Sequence, residues 1–140
     1  MSKTDVAIVT EQRAGRLMPV PLKAGATVLQ GTFAVVDKSG LALDSQNVGS
    51  ADQICLGVWD NSAQNTGADG DVIAQVQRKA QFLMSNDSSD ALTQADLGIK
   101  AFILDNQTVS KSDGNGSRAL AGKFMGFDSR FTDYVWVEIE

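Results

Sequence analysis

Turn-forming residues cut this chain into short apolar stretches, and none of the stretches is spaced for a helix of several turns. The breaks are rich in Gly, Asn, Asp and Ser: Asp37-Lys-Ser-Gly40, Asn61 to Gly70, Ser85 to Asp90, Asp105-Asn-Gln107, Lys111 to Ser117 and Ser129 to Asp133. Such residues favour turns because glycine takes positive φ freely and short polar side chains bond their own backbone. The acids agree. Fourteen are Asp and only three are Glu (Glu11, Glu138, Glu140). Glu is a fair helix former, whereas Asp prefers caps and turns. The pattern predicts an all-β chain of about 8–10 short strands, a jelly-roll-like β-sandwich or compact barrel.

The strands are legible between the breaks. Gly31 to Val36 and Leu41-Ala-Leu43 read as a hairpin around Asp37–Gly40. Gln53 to Asp60 reads as a central strand, with Ile54, Leu56 and Val58 on one face and Cys55, Gly57 and Trp59 on the other. Asp71 to Met84 alternates, with Val72, Ala74 and Val76 on one face; Arg78-Lys79 breaks the pattern, as a bulge or sheet corner would. Ile99 to Leu104, Thr108 to Ser110, Arg118 to Phe127 and Tyr134 to Ile139 follow as strands. Thr93 to Gly98 is the one predicted helical turn, capped by Thr93 and ended by Gly98.

With 140 residues the chain reads as one β domain, residues 22–140, preceded by an extended N-terminal arm, residues 1–21. In the arm, Val6, Ile8 and Val9 suit a short strand. Pro19 and Pro21 remove two backbone donors, and Leu17, Met18, Val20 and Leu22 make the stretch apolar. Such a segment must pack on something, its own domain or a partner. The arm is also basic. Up to Lys23 there are four basic and two acidic residues (4 − 2 = +2), against 8 − 15 = −7 for the remainder. A basic leader on an acidic body suits an acidic partner or another copy of the chain. An acidic body repels phosphate, so no nucleic-acid partner is expected.

Chemistry is scarce. The chain has no histidine, the commonest general base and metal ligand, and one cysteine, Cys55, expected as a small buried hydrophobe. Asp113-Gly-Asn-Gly116 echoes a calcium loop, but the alignment puts Lys111 at its first ligand and Gly122 at its last. No catalytic residues, no cofactor and no metal are expected. No apolar run approaches the ~20 residues of a membrane helix, and no secretory signal is evident, so synthesis in the cytoplasm and no membrane partner are expected.

Several stretches resemble small capsid cement, or decoration, proteins of tailed bacteriophages: Leu22-Lys-Ala-Gly-Ala-Thr-Val-Leu-Gln-Gly-Thr-Phe-Ala-Val-Val-Asp37, Ala51-Asp-Gln-Ile-Cys-Leu-Gly-Val58 with the Gly-Ala-Asp-Gly-Asp71 loop, Leu92-Thr-Gln-Ala-Asp-Leu-Gly98 with Asp105-Asn-Gln-Thr-Val109, and Val135-Trp-Val-Glu-Ile139. The resemblance implies a jelly-roll fold and a homo-oligomeric virion protein on the capsid exterior. Its partner would be the major capsid protein, and its role to cement neighbouring subunits against internal DNA pressure. On that expectation Val6, Ile8, Val9, Arg13, Arg16, Leu17 and Met18 would grip the capsid partner. Tyr134 and Trp136, on one face of the last strand, would serve self-association, as a dimer rather than a trimer. The rival expectation is a carbohydrate-binding or host-surface-binding β-sandwich module, using aromatics at Trp59-Asp-Asn61 and Tyr134-Val-Trp136.

Overall fold

The computed structural model describes residues 3–140. Eleven strands run in the order β1 (Leu17–Pro21), β2 (Thr27–Val28), β3 (Phe33–Val36), β4 (Ile54–Trp59), β5 (Ala63–Gln64), β6 (Ile73–Gln77), β7 (Ala80–Asn86), β8 (Lys100–Asp105), β9 (Thr108–Ser110), β10 (Leu120–Phe127) and β11 (Tyr134–Ile139). Helical structure among the described residues is limited to single 3-10 turns at Ser45–Asn47 and Gln94–Asp96. The chain is all-β, as its turn punctuation predicts.

Sandwich and barrel both find a place. The first half builds an antiparallel four-stranded sheet, β1-β6-β4-β3, with β2 and β5 as a two-stranded ribbon. The second half closes a five-stranded barrel, β10-β11-β7-β9-β8. Its pairs are antiparallel except β7 with β9, which are parallel at Ser85↔Thr108 and Asn86↔Val109.

Strand β3 joins the two halves. All four of its residues are buried. Phe33 and Val35 enter the barrel core beside Ile103, Phe124, Val135 and Val137. Ala34 and Val36 enter the sheet core beside Val20, Leu22, Trp59 and Val76. An unbroken apolar run is what a strand with a core on each face requires.

Strand β4 departs from simple alternation. Ala34 pairs with Gly57 and Val35 with Cys55, so Leu56 is an extra residue, a β-bulge. The bulge flips the parity of the strand. Cys55 and Val58 lie against the barrel core, while Leu56 and Trp59 lie against the sheet core. Gly57 does not make room for Trp59; it lets β6 pass. A Cβ on Gly57 would strike the Gln77 carbonyl oxygen and lie 2.9 Å from Val76 Cγ1.

The break in pattern at Arg78-Lys79 is a sheet corner. Lys79 has φ 60°, and its N–H donates to the Ile139 carbonyl at 2.7 Å. There the chain leaves the sheet as β6 and enters the barrel as β7. The hairpin at Asp37–Gly40 forms as predicted: Leu41 O accepts Asp37 N–H at 3.1 Å, and Val35 O accepts Leu43 N–H at 3.0 Å. Asn65 ties the loops of the sheet half together from a fully buried position. Its amide donates to the carbonyls of Leu22 (3.0 Å) and Ala68 (2.8 Å), and its oxygen accepts Gly67 N–H at 2.9 Å.

The arm is shorter than the sequence suggests. Leu17–Pro21 is strand β1, registered on β6 from Leu17↔Gln77 to Pro21↔Ile73. Val20 and Leu22 are buried in the sheet core. The prolines do not stop this strand because their main-chain groups face away from β6. Arg16 O accepts Arg78 N–H at 2.9 Å and Leu22 N–H donates to Val72 O at 2.9 Å, so the even-numbered residues exchange bonds with β6. Met1 and Ser2, the first two residues of the expected arm, lie outside the described residues.

Candidate functional site

Three features of the surface are placed for contact with another molecule. The first is the arm itself. Residues 3–16 form no strand, and Val6, Ile8 and Val9 are 68%, 67% and 98% exposed. The only local order is at Thr4, whose hydroxyl bonds the Val6 backbone at 2.9 and 3.2 Å. Arg13 and Arg16 are exposed and enter no ion pair among the described residues. The root of the arm is pinned. Lys79 lies over Gly15, where a Cβ would stand 2.6 Å from the lysine Nζ, and Arg16 holds Arg78 through the backbone.

Leu17 and Met18 were expected to act with the arm, and they part company. Leu17 is 51% exposed on β1. Met18 turns inward against the sheet core, and its Sδ accepts from an Arg78 guanidinium nitrogen at 3.7 Å. Met18 is therefore occupied within its own body.

The second feature is an ordered aromatic corner between β10 and β11. Asp128, 6% exposed, accepts the N–H groups of Arg130 (2.7 Å) and Phe131 (3.1 Å) and pairs with the Arg130 guanidinium at 3.1 Å. That guanidinium, with the backbone donors behind it, holds the Asp128 carboxyl below its ordinary range. The Arg130 guanidinium carbon sits 5.3 Å from the centre of the Phe131 ring, and Phe131 meets Tyr134 edge to face at 6.0 Å. Phe131 is 50% exposed and Tyr134 41%. Trp136, two residues along β11, is half-buried on the same outward face and opposes Leu83 of β7. The expected pair Tyr134 and Trp136 thus does lie together outside the barrel. Arg130 and Phe131 lie within a turn, and the Asp-Ser-Arg spacing at 128–130 is their only signal in the sequence.

The third feature is a groove of about 410 Å³ where the two halves meet. Strand β6 pairs with β4 only at Val58 and Trp59 before it turns off at Lys79. The edge of β4 at Ile54–Leu56 is left without a neighbour on that side. The groove opens there, with Gln53–Cys55 on one wall and Leu120–Lys123 and Glu138–Glu140 on the other. Ile54 and Leu120 stand 58% and 45% exposed along it. Burial pushes the Cys55 thiol up to about 12, which makes it a poor nucleophile.

Among the described residues no group of three His, Cys, Asp or Glu is placed to hold a metal ion. The Asp113–Gly116 loop is tied down by Arg118, which donates to Asp90 and to the Ser112 carbonyl, each at 3.1 Å. Trp59, a candidate glycan platform, is 1% exposed and belongs to the sheet core. Among the described residues no helix is long and apolar enough to cross a membrane. Comparison with known proteins adds nothing to this geometry: no family model, no curated protein and no solved structure matches the chain.

Proposed function

We propose that this protein is a structural component of a bacteriophage virion that binds the capsid exterior and cements neighbouring major capsid proteins. The reading makes it a protein without catalytic residues or cofactor, a homo-oligomer that works by multipoint contact. The observation that carries it is the pinned, apolar arm. Val6, Ile8 and Val9 are held clear of a closed, ordered body, where an isolated protein would be expected to cover them. An extended segment of this kind grips a neighbouring subunit by adding a strand to it, with backbone bonds for affinity and alternate side chains for specificity. The resemblance of the strand-and-turn stretches to capsid cement proteins supports the same reading.

Cementing follows from geometry. DNA pressure loads a shell outward, and a protein that holds two subunits at once makes the second contact intramolecular. Modest contacts then gain about 10²- to 10⁴-fold through effective concentration. The aromatic corner supplies a second, stiffer contact, since Arg130, Phe131 and Tyr134 are already ordered and lose little freedom on binding.

The test is co-sedimentation with expanded shells of the cognate major capsid protein. Saturable binding at a fixed ratio, with raised heat resistance of the shell, is the expected result. Absence of binding would sink the proposal. The carbohydrate-binding alternative has exposed Phe131 and Tyr134 in its favour, but their rings meet at 70° and offer no flat platform for a sugar. A glycan array separates the two readings.

A further inference from the structure

The groove beside β4 is an acceptor built for an extended apolar strand. One wall is a strand edge with no partner, its floor is apolar, and its rim carries Lys100, Lys123, Glu138 and Glu140. The arm has the complementary character. Val6 and Ile8 fall on one face of an extended chain, and charges of both signs (Asp5, Glu11, Arg13, Arg16) flank them. None of these rim or arm charges is spent on an ion pair among the described residues.

We propose that Val6–Val9 of a second copy of this chain fills the groove as an added strand alongside Ile54–Leu56, and that two copies exchange arms. This rests on the arm as the gripping element of the proposed function, but gives it a second copy of this chain to grip and leaves the aromatic corner of each copy for the shell.

The position of the root favours exchange between copies over folding back. Arg16 is bonded to Arg78, and the next residue, Lys79, is bonded to Ile139, which lines the groove. The arm therefore starts beside the groove it would have to re-enter. Within one chain the arm does not turn back into it: Val6, Ile8 and Val9 stay exposed. An arm that runs on straight reaches a groove facing it. Ile8 lies eight steps along the chain from Arg16, a span of up to about 28 Å. Because root and groove are neighbours, two bodies related by a two-fold axis can each receive the other's arm, and the assembly closes as a dimer. Val6 and Ile8 would meet Ile54 and Leu120.

Disulfide trapping in solution, without any shell, tests this. In a Cys55→Ala background, full-length Ile8→Cys is mixed with a mass-tagged Leu120→Cys chain under mild oxidation. The expected product is a covalent heterodimer, with several-fold less from Ala7→Cys, whose side chain would point away from the floor. Failure to cross-link overturns the proposal, as does a double Ile8→Cys, Leu120→Cys chain that closes only on itself at low concentration. Should the Cys55→Ala background fold poorly, sedimentation of the otherwise unaltered chain decides. The intact protein should be a dimer, and Ile8→Asp should raise its dissociation constant at least 10-fold. A monomer at all concentrations overturns the proposal. Shell binding is read separately. Monomers that still cement shells would sink the arm exchange alone, and exchanged dimers that ignore shells would sink the cement reading alone.

Discussion

The strand edges at β1 and at β4 are finished in opposite ways. At β1, Pro19 and Pro21 occupy the outward positions, so two of the backbone donors that a further strand would need are missing. The Pro21 carbonyl on that side is already taken by Ala42 N–H at 2.9 Å. At β4, the Ile54–Leu56 edge has no proline, no covering strand and an apolar groove beside it. A long apolar edge left open invites aggregation. This open edge is short, recessed and rimmed by charge, so only a narrow, matching strand can use it. One edge is blunted by proline and the other is left open.

The largest effect expected from breaking this contrast comes from Gly57→Val. The new side chain would strike the Gln77 carbonyl oxygen, push β6 from β4 and remove the corner that creates the groove. A loss of about 3–5 kcal/mol in urea unfolding is expected, in the range of severe core lesions. A loss under about 1 kcal/mol would mean that the strands separate freely there.

Next comes Asn65→Leu. The buried amide holds three carbonyls and one N–H that leucine cannot satisfy, and a cost of about 2–3 kcal/mol is expected. The loss should fall on the sheet half. Hydrogen exchange should quicken around Leu22 and Ala68 and leave β10 and β11 protected.

Acid should act on both halves, through one carboxyl in the sheet half and three in the barrel half. Asp37 is held below its ordinary value of 3.8 by the Ser39 hydroxyl and then Lys23, and Asp90 by the Ser112 hydroxyl. Asp96 is lowered by the Thr93 N–H and Asp128 by Arg130. A carboxyl with a depressed folded pKa stabilises the fold above its unfolded value, and the gain is lost as pH falls through the folded value. Stability should therefore stay flat from about pH 8 down to pH 5, where no histidine titrates, and fall below about pH 4. Cys55 runs the other way. Its thiol is raised from 9.0 to about 12, so stability should decline as pH rises above 9.0. Thermal melts across the pH range read both limbs; a steep change between pH 6 and 7 would contradict the assignment.

The smallest effect on stability belongs to Pro19→Val, within about 1 kcal/mol, because the outward N–H it restores has no partner within the chain. Its effect on behaviour should be larger. Reopening the β1 edge should produce open-ended association that grows with concentration, detectable by light scattering and distinct from a saturating dimer. Unchanged scattering would show that the prolines are not what guards this edge.

Much of this was readable before any coordinates. The hairpin around Asp37–Gly40, the turn at Thr93–Gly98 and the corner at Arg78-Lys79 are local, and turn chemistry over a few residues decides them. The outward face of β11, with Tyr134 and Trp136, followed from a period of two. What failed was whatever depended on a distant neighbour. Simple alternation fails across Gln53–Asp60 because the bulge at Leu56 answers to the register of β3 and the passage of β6. The arm was drawn to Pro21 because a proline-bearing strand looks like no strand until the side on which β6 lies is known.

The sequence alone determined the fold class, the absence of histidine chemistry and the apolar, basic character of the arm, because composition and short-range pattern carry those properties. Tertiary structure decided which edges stay open. The groove exists only because β6 leaves β4 at Lys79 to join the barrel, bringing Ile54, Leu120 and Ile139 together from three separate stretches of chain. No local rule encodes that meeting; it arises from the packing of a sheet against a barrel across the shared wall of β3.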